Sequence, residues 1–220
     1  MLTMSEFDIS DVPANRAAAA ELQRVKLTHM RHVARATMDE TNPESLLFMS
    51  LAMRANPKNG GLVAQQLRDL EGHMPNEPNS PRFVGAWDSQ GGLVAYVRGG
   101  ELLAREYEPF APGRVSGLAS RAMYCLPWHP YGIREIFSAL EPGTEEYRAS
   151  IVPLIDELFN HARQKKSERD IRAFAGSRDE PLGEILTGSF GMQPRRVGPL
   201  PVGRSTMRAM MYSTDVRQQV

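Results

Sequence analysis

Few side chains in this 220-residue sequence have the types and spacing to do chemistry. His29 and His32 stand three residues apart in a run that reads as helix, so both imidazoles can share one face. No third ligand accompanies them, and no Cys or His cluster has zinc spacing, so they read as packed or solvated side chains and no metal is expected. Cys125 is the one cysteine, which excludes an intrachain disulfide. Following Ala122, Met123 and Tyr124, it reads as a buried thiol rather than a nucleophile. Arg24, Arg31 and Arg35, and the stretch from Arg195-Arg196 to Arg204, could meet phosphates. Lys plus Arg and Asp plus Glu each number 26, however, so no overall charge draws the chain to nucleic acid or an anionic membrane. These arginines read as solvated faces, and nucleic acid is not an expected partner. Between Gly99 and Gly132, Tyr107, Phe110, Tyr124, Trp128 and Tyr131 are interspersed with Pro109, Pro112, Gly113, Gly117 and Pro127. Those aromatics serve either packing or substrate contact.

The elements that must position these groups follow from periodicity. Ala14 to Met38 predicts a helix, with Leu22, Val25, His29, Val33 and Ala36 on its apolar stripe. A second helix opens at Asn42-Pro43 and ends at Asn56-Pro57; a third carries Leu62, Val63, Leu67 and Leu70 and stops at Gly72. His73 to Pro81 is a Pro- and Asn-rich loop. Arg82 to Asp88 and Leu93 to Arg98, joined by Ser-Gln-Gly-Gly, form an antiparallel hairpin. Ile133 to Leu140 is a strand, with Glu135, Phe137 and Ala139 on one face and Ile136, Ser138 and Leu140 on the other. A helix from Glu145 to Lys166, a strand from Asp170 to Ala175, a short helix from Pro181 to Phe190 closed by Gly191, and a strand from Thr206 to Tyr212 complete the order. The length suits one domain or one domain with an extra helical segment: residues 1–75 helical, 82–214 the sheet-bearing part, in one continuous domain. Met1 to Ser10 holds Glu6 and Asp8 and lacks the basic-then-apolar order of a signal peptide, and no apolar run is long enough to cross a bilayer. The expected location is the cytoplasm, with no membrane partner.

Helices, a hairpin, then strand, helix, strand, short helix and final strand is an order that resembles the GNAT N-acetyltransferase superfamily. Local strings agree with it over roughly Phe83 to Tyr212. Ile133 to Pro142 (IREIFSALEP) resembles the family's central strand, and Asp170 to Pro181 (DIRAFAGSRDEP) the next strand and the start of the following helix. Phe190-Gly191-Met192 is similar to the Gly-Phe that ends that helix, and Thr206 to Tyr212 (TMRAMMY) to the closing strand. The resemblance implies an α/β (α+β) fold: a mixed, mostly antiparallel central sheet flanked by helices, with an N-terminal helical segment.

It also implies a site for acetyl-CoA as acyl donor. In the family the central strand splays from its neighbour and its backbone groups bind the pantetheine arm, while amides opening the next helix hold the pyrophosphate. Carried onto this chain, those positions are Ser138, Ala139, Leu140, Arg148, Ala149, Ser150, Ile151 and Ser177. The phosphate loop of the family reads Arg/Gln-x-x-Gly-x-Gly/Ala. Here Gly143 to Pro153 holds Tyr147-Arg148 but neither later glycine, and Glu145 and Glu146 would repel phosphate. The family's proton-donating Tyr, four residues before Gly-Phe, corresponds to Leu186 or Thr187. A glutamate on the central strand serves some members as base, and Glu135 matches it, either in that role or as an exposed or ion-paired strand residue. The implied function is acyl transfer from CoA to a primary amine on a small molecule or protein, with a homodimer allowed. The alternative is a non-catalytic binding or regulatory protein on the same fold.

Overall fold

The computed structural model describes residues 2–7, 12–36, 38, 82–101, 131–165, 170–176, 178–202 and 205–214. The expected second and third helices, the loop before Arg82, most of the Gly99 to Gly132 segment, Cys125, Ser177 and Arg204 lie outside them. In chain order the elements are β1 (Thr3–Glu6), α1 (Val12–Ala36), β2 (Arg82–Trp87), β3 (Leu93–Glu101), β4 (Tyr131–Ser138), α2 (Glu145–Lys165), β5 (Ile171–Gly176), α3 (Glu180–Gly188), β6 (Gln193–Val202) and β7 (Ser205–Ser213). The strands form one seven-stranded sheet in the order β1-β2-β3-β4-β5-β7-β6. β1 with β2, β5 with β7 and β6 with β7 are antiparallel, and β4 with β5 is parallel. Among the described residues no helix is long and apolar enough to cross a membrane.

Two compact units divide the chain: Met1–Val97 with Ile136–Leu154, and Arg98–Glu135 with Ile155–Val220. In the first, α1 buries Leu22, Val25, His29 and Val33 as its spacing predicts, while Ala36, expected on the same stripe, is exposed at the helix end. Leu22 and Val25 pack with Phe83, Leu93 and Tyr96, and Phe7, Trp87, Phe137 and Ala139 close over that cluster. Arg24 is used within the unit, bonding Glu21 at 2.8 Å and the carbonyl of Leu93. The hairpin turns at Asp88, whose carboxylate accepts from the amides of Gln90 and Gly92 at 2.9 and 2.8 Å, with Gly91 at φ +79° where a side chain would be strained.

Two strands were not expected from the sequence. β1 is four exposed residues against Arg82–Trp87, too short and polar to show an alternation. β6 carries Pro194, Pro199 and Pro201, which argue against a central strand but are tolerated at the sheet edge that β6 occupies. Its register with β7 shifts between Pro194 and Arg196.

In the second unit, Asp179 caps α3 by accepting from the Leu182 amide at 3.2 Å. Gly183 lets the Tyr212 hydroxyl of β7 come so close that an added Cβ would meet it at 2.5 Å. Burial, and secondly the charge of Asp179, hold the Tyr212 phenol above its ordinary value of 10.0. The folded state thus keeps this proton longer than the unfolded chain. That contribution is fully present below about pH 10 and is lost as pH rises through the folded value. Stability of the parent should therefore fall more steeply above about pH 10 than that of Tyr212→Phe in melting curves taken across pH. Parallel slopes would mean that the phenol ionises alike in both states.

Candidate functional site

β4 and the turn into α2 bring together most of the residues that the sequence singles out. The ladder from β4 to β5 has three pairs, Tyr131↔Ile171, Gly132↔Arg172 and Ile133↔Ala173, and stops there. Both strands continue: β5 runs to Gly176, paired to Ala209 of β7, and β4 runs to Ser138.

In the second unit, Tyr131 is edge-on to His161 of α2 with centroids 5.9 Å apart, and its N–H donates to Asp170 beside β5 at 3.0 Å. In the first unit, the Ser138 hydroxyl lies 3.1 Å from that of Ser150, and Ala139 N–H donates to Val94 of β3 at 2.7 Å. Phe137 and Ala139 pack on the α1 core and Ser138 lies opposite. With Ala139 N–H directed to β3, the peptide groups of Ile136 and Ser138 point away from β3.

The turn is held by a one-way hydrogen-bond chain. Ser150 Oγ donates to the Tyr147 carbonyl at 2.7 Å, which uses its single proton. In the 3.1 Å contact Ser138 must then be the donor and Ser150 the acceptor. Ser138 Oγ in turn accepts the Leu140 N–H at 3.2 Å. Both hydroxyls are buried and occupied by one another, so what these two serines present elsewhere is backbone. Gly143, at φ +87°, turns the chain into Thr144, which caps α2. Thr144 Oγ1 accepts from Tyr147 N–H at 3.2 Å and donates to the Glu141 carbonyl at 2.8 Å.

α2 thus opens at Glu145, almost a full turn ahead of Arg148. The Arg148 amide already donates to Thr144 O at 3.1 Å, so the amides at the mouth of the helix are those of Glu145 and Glu146, whose side chains are exposed. Arg148 and Ala149 are exposed as well. Ile151 is fully buried on the stripe that runs Tyr147, Ile151, Leu154, Ile155, Leu158 and Phe159. Pro153 has no N–H to return to Ala149, yet the helix continues through it.

Glu135, on β4, pairs with Arg98 of β3 at 3.7 Å, with both side chains 13% exposed. That separation is an ion pair rather than a hydrogen bond.

No protein-family model matches the sequence, and no curated protein matches it. Solved structures do match. A GCN5-related N-acetyltransferase from Rhodopseudomonas palustris aligns over 96% of this chain and 94% of its own, with a TM-score of 0.53 and 12% identity. NAA60 of Arabidopsis thaliana, solved in complex with acetyl-CoA, aligns over 97% and 98% with a TM-score of 0.50 and 11% identity. An acetyltransferase of the GNAT family from Streptococcus pneumoniae aligns over 97% and 98% with a TM-score of 0.50 and 10% identity. The fold is that of the GNAT acetyltransferases.

On this GNAT fold, the two positions offered for a proton donor are both occupied otherwise. Leu186 is fully buried, and the Thr187 hydroxyl donates back to the carbonyls of Gly183 and Glu184 at 2.9 and 3.2 Å. Thr144 and the Ser138–Ser150 link were not singled out from the sequence for the roles they have. The signal available for the first was Thr-x-x before the buried Tyr147. Among the described residues no group of three or more His, Cys, Asp or Glu could hold a metal ion.

Proposed function

We propose that this protein is an acyltransferase that moves an acetyl group from acetyl-CoA to a primary amine by direct attack. The observation that carries the reading is the end of the β4–β5 ladder at Ile133↔Ala173 while β4 runs on to Ser138. A strand past its ladder presents peptide groups, here those of Ile136 and Ser138, that match the amide-rich pantetheine arm. The first amides of α2, at Glu145 and Glu146, take the pyrophosphate end. Arg148, exposed one turn on, supplies the positive charge that the two glutamates oppose. A protein of the same fold is solved with acetyl-CoA, which supports the choice of donor.

Glu135 is the base. It accepts a proton from the attacking amine as the nitrogen adds to the thioester carbonyl, and the intermediate then expels the CoA thiolate. Arg98 orients the carboxylate between turnovers. Incubation with acetyl-CoA and a panel of primary amines should release free thiol in an amine-dependent way. Absence of release with every amine, together with no thermal stabilisation by millimolar acetyl-CoA, would refute the proposal.

A second reading, a non-catalytic binding protein on the same fold, draws on the glutamates at the α2 start and the lack of a tyrosine at positions 186 and 187. It predicts thermal stabilisation without turnover.

A further inference from the structure

Outside the strings shared with the fold family, one residue touches both flanks of the β4–α2 turn. His29 of α1 is 3% exposed. Its imidazole meets Phe137 edge-on, 5.4 Å between centroids at 69°, and stacks on Tyr147 at 6.1 Å and 15°. Phe137 is the residue before Ser138; Tyr147 is the α2 residue whose amide Thr144 caps and whose carbonyl Ser150 holds. One ring therefore spans the end of the strand and the first turn of the helix, with the whole turn looped between the two contacts. Phe137 is itself braced, tilted on Tyr96 at 5.7 Å with Lys26 Nζ 5.3 Å above its ring, so it cannot follow if the imidazole is lost.

We infer that His29 is a positioning residue for the acyl donor: its ring sets the spacing between the peptide groups of Ile136 to Leu140 and the amides that open α2. The inference rests on reading that turn as the donor site. An aromatic ring of similar size preserves the two contacts, while a methyl group abolishes both. Removing the clamp leaves Glu135 and the chemistry in place, so the effect falls on donor binding rather than on the chemical step.

The test compares His29→Ala, His29→Phe and Val25→Ala by amide hydrogen exchange and by acetyl-CoA titration, below the melting temperature of each. Val25→Ala is the control, a fully buried position on the same helix, in the cluster over which Phe137 and Ala139 close, whose truncation costs stability but leaves the His29 ring against Phe137 and Tyr147. His29→Ala should speed exchange at residues 139–147 roughly tenfold relative to the control. It should also raise Kd and KM for acetyl-CoA roughly tenfold, with kcat within about twofold. His29→Phe should restore both. Equal exchange and affinity in His29→Ala and Val25→Ala, or no rescue by Phe, would overturn the inference. If the parent protein binds no acetyl-CoA, the donor reading fails, and the exchange comparison alone still decides whether His29 clamps the turn.

Discussion

Glu135→Gln lowers kcat by roughly 10²–10⁴-fold at neutral pH while KM for acetyl-CoA stays within about twofold. The amide has nearly the shape of the carboxylate but cannot accept the amine's proton. In the proposed site the donor contacts fall on backbone further along β4 and at α2, so ground-state binding of acetyl-CoA should be untouched. The deficit should shrink as pH rises, because free amine accumulates without help from a base. The pair with Arg98, with each side chain 13% exposed, gives the same substitution a structural cost. The two effects separate cleanly: a lower melting temperature with unchanged kcat would mean that Glu135 serves only as the partner of Arg98.

Ile151→Ala costs about 2–5 kcal/mol of stability, read from denaturant unfolding. Ile151 is 0% exposed in the α2 stripe, so truncation leaves a cavity between Tyr147 and Leu154 that a helix fixed on both sides cannot close. Below the variant's melting temperature, calorimetric titration should find donor affinity within about twofold of the parent's. This distinguishes two ways in which a helix can serve a site. If the Ile151 side chain reached the ligand, affinity would fall at a position where burial predicts only a loss of stability.

The sequence displayed whatever one local pattern determines. The apolar stripes of α1 and α2, the Asp88 to Gly92 turn and the Asp179-Glu180-Pro181 start of α3 were legible because spacing or capping chemistry fixes each within a few residues. β1 and β6 were not. The first is held by pairing with Arg82–Trp87, distant in sequence, and the second survives its prolines only because it lies at an edge. At the site, Glu135 and Ser138 were legible as residues on a strand of alternating faces. The end of the β4–β5 ladder at Ile133↔Ala173 was not, because where two strands far apart in sequence cease to pair leaves no trace in either one. The Ser138–Ser150 link depends on bringing strand and helix together, and His29 read as a stripe residue because nothing local names Phe137 and Tyr147 as its neighbours.

The central claim is that β4 past its ladder with β5, together with the opening of α2, holds an acyl-CoA. Backbone amide NMR of the protein titrated with acetyl-CoA tests it most directly. The account predicts saturable shifts at Ile136, Ser138, Leu140, Glu145 and Glu146. Saturable shifts confined to α1 or to the β6–β7 ladder, or none at millimolar acetyl-CoA, would contradict it.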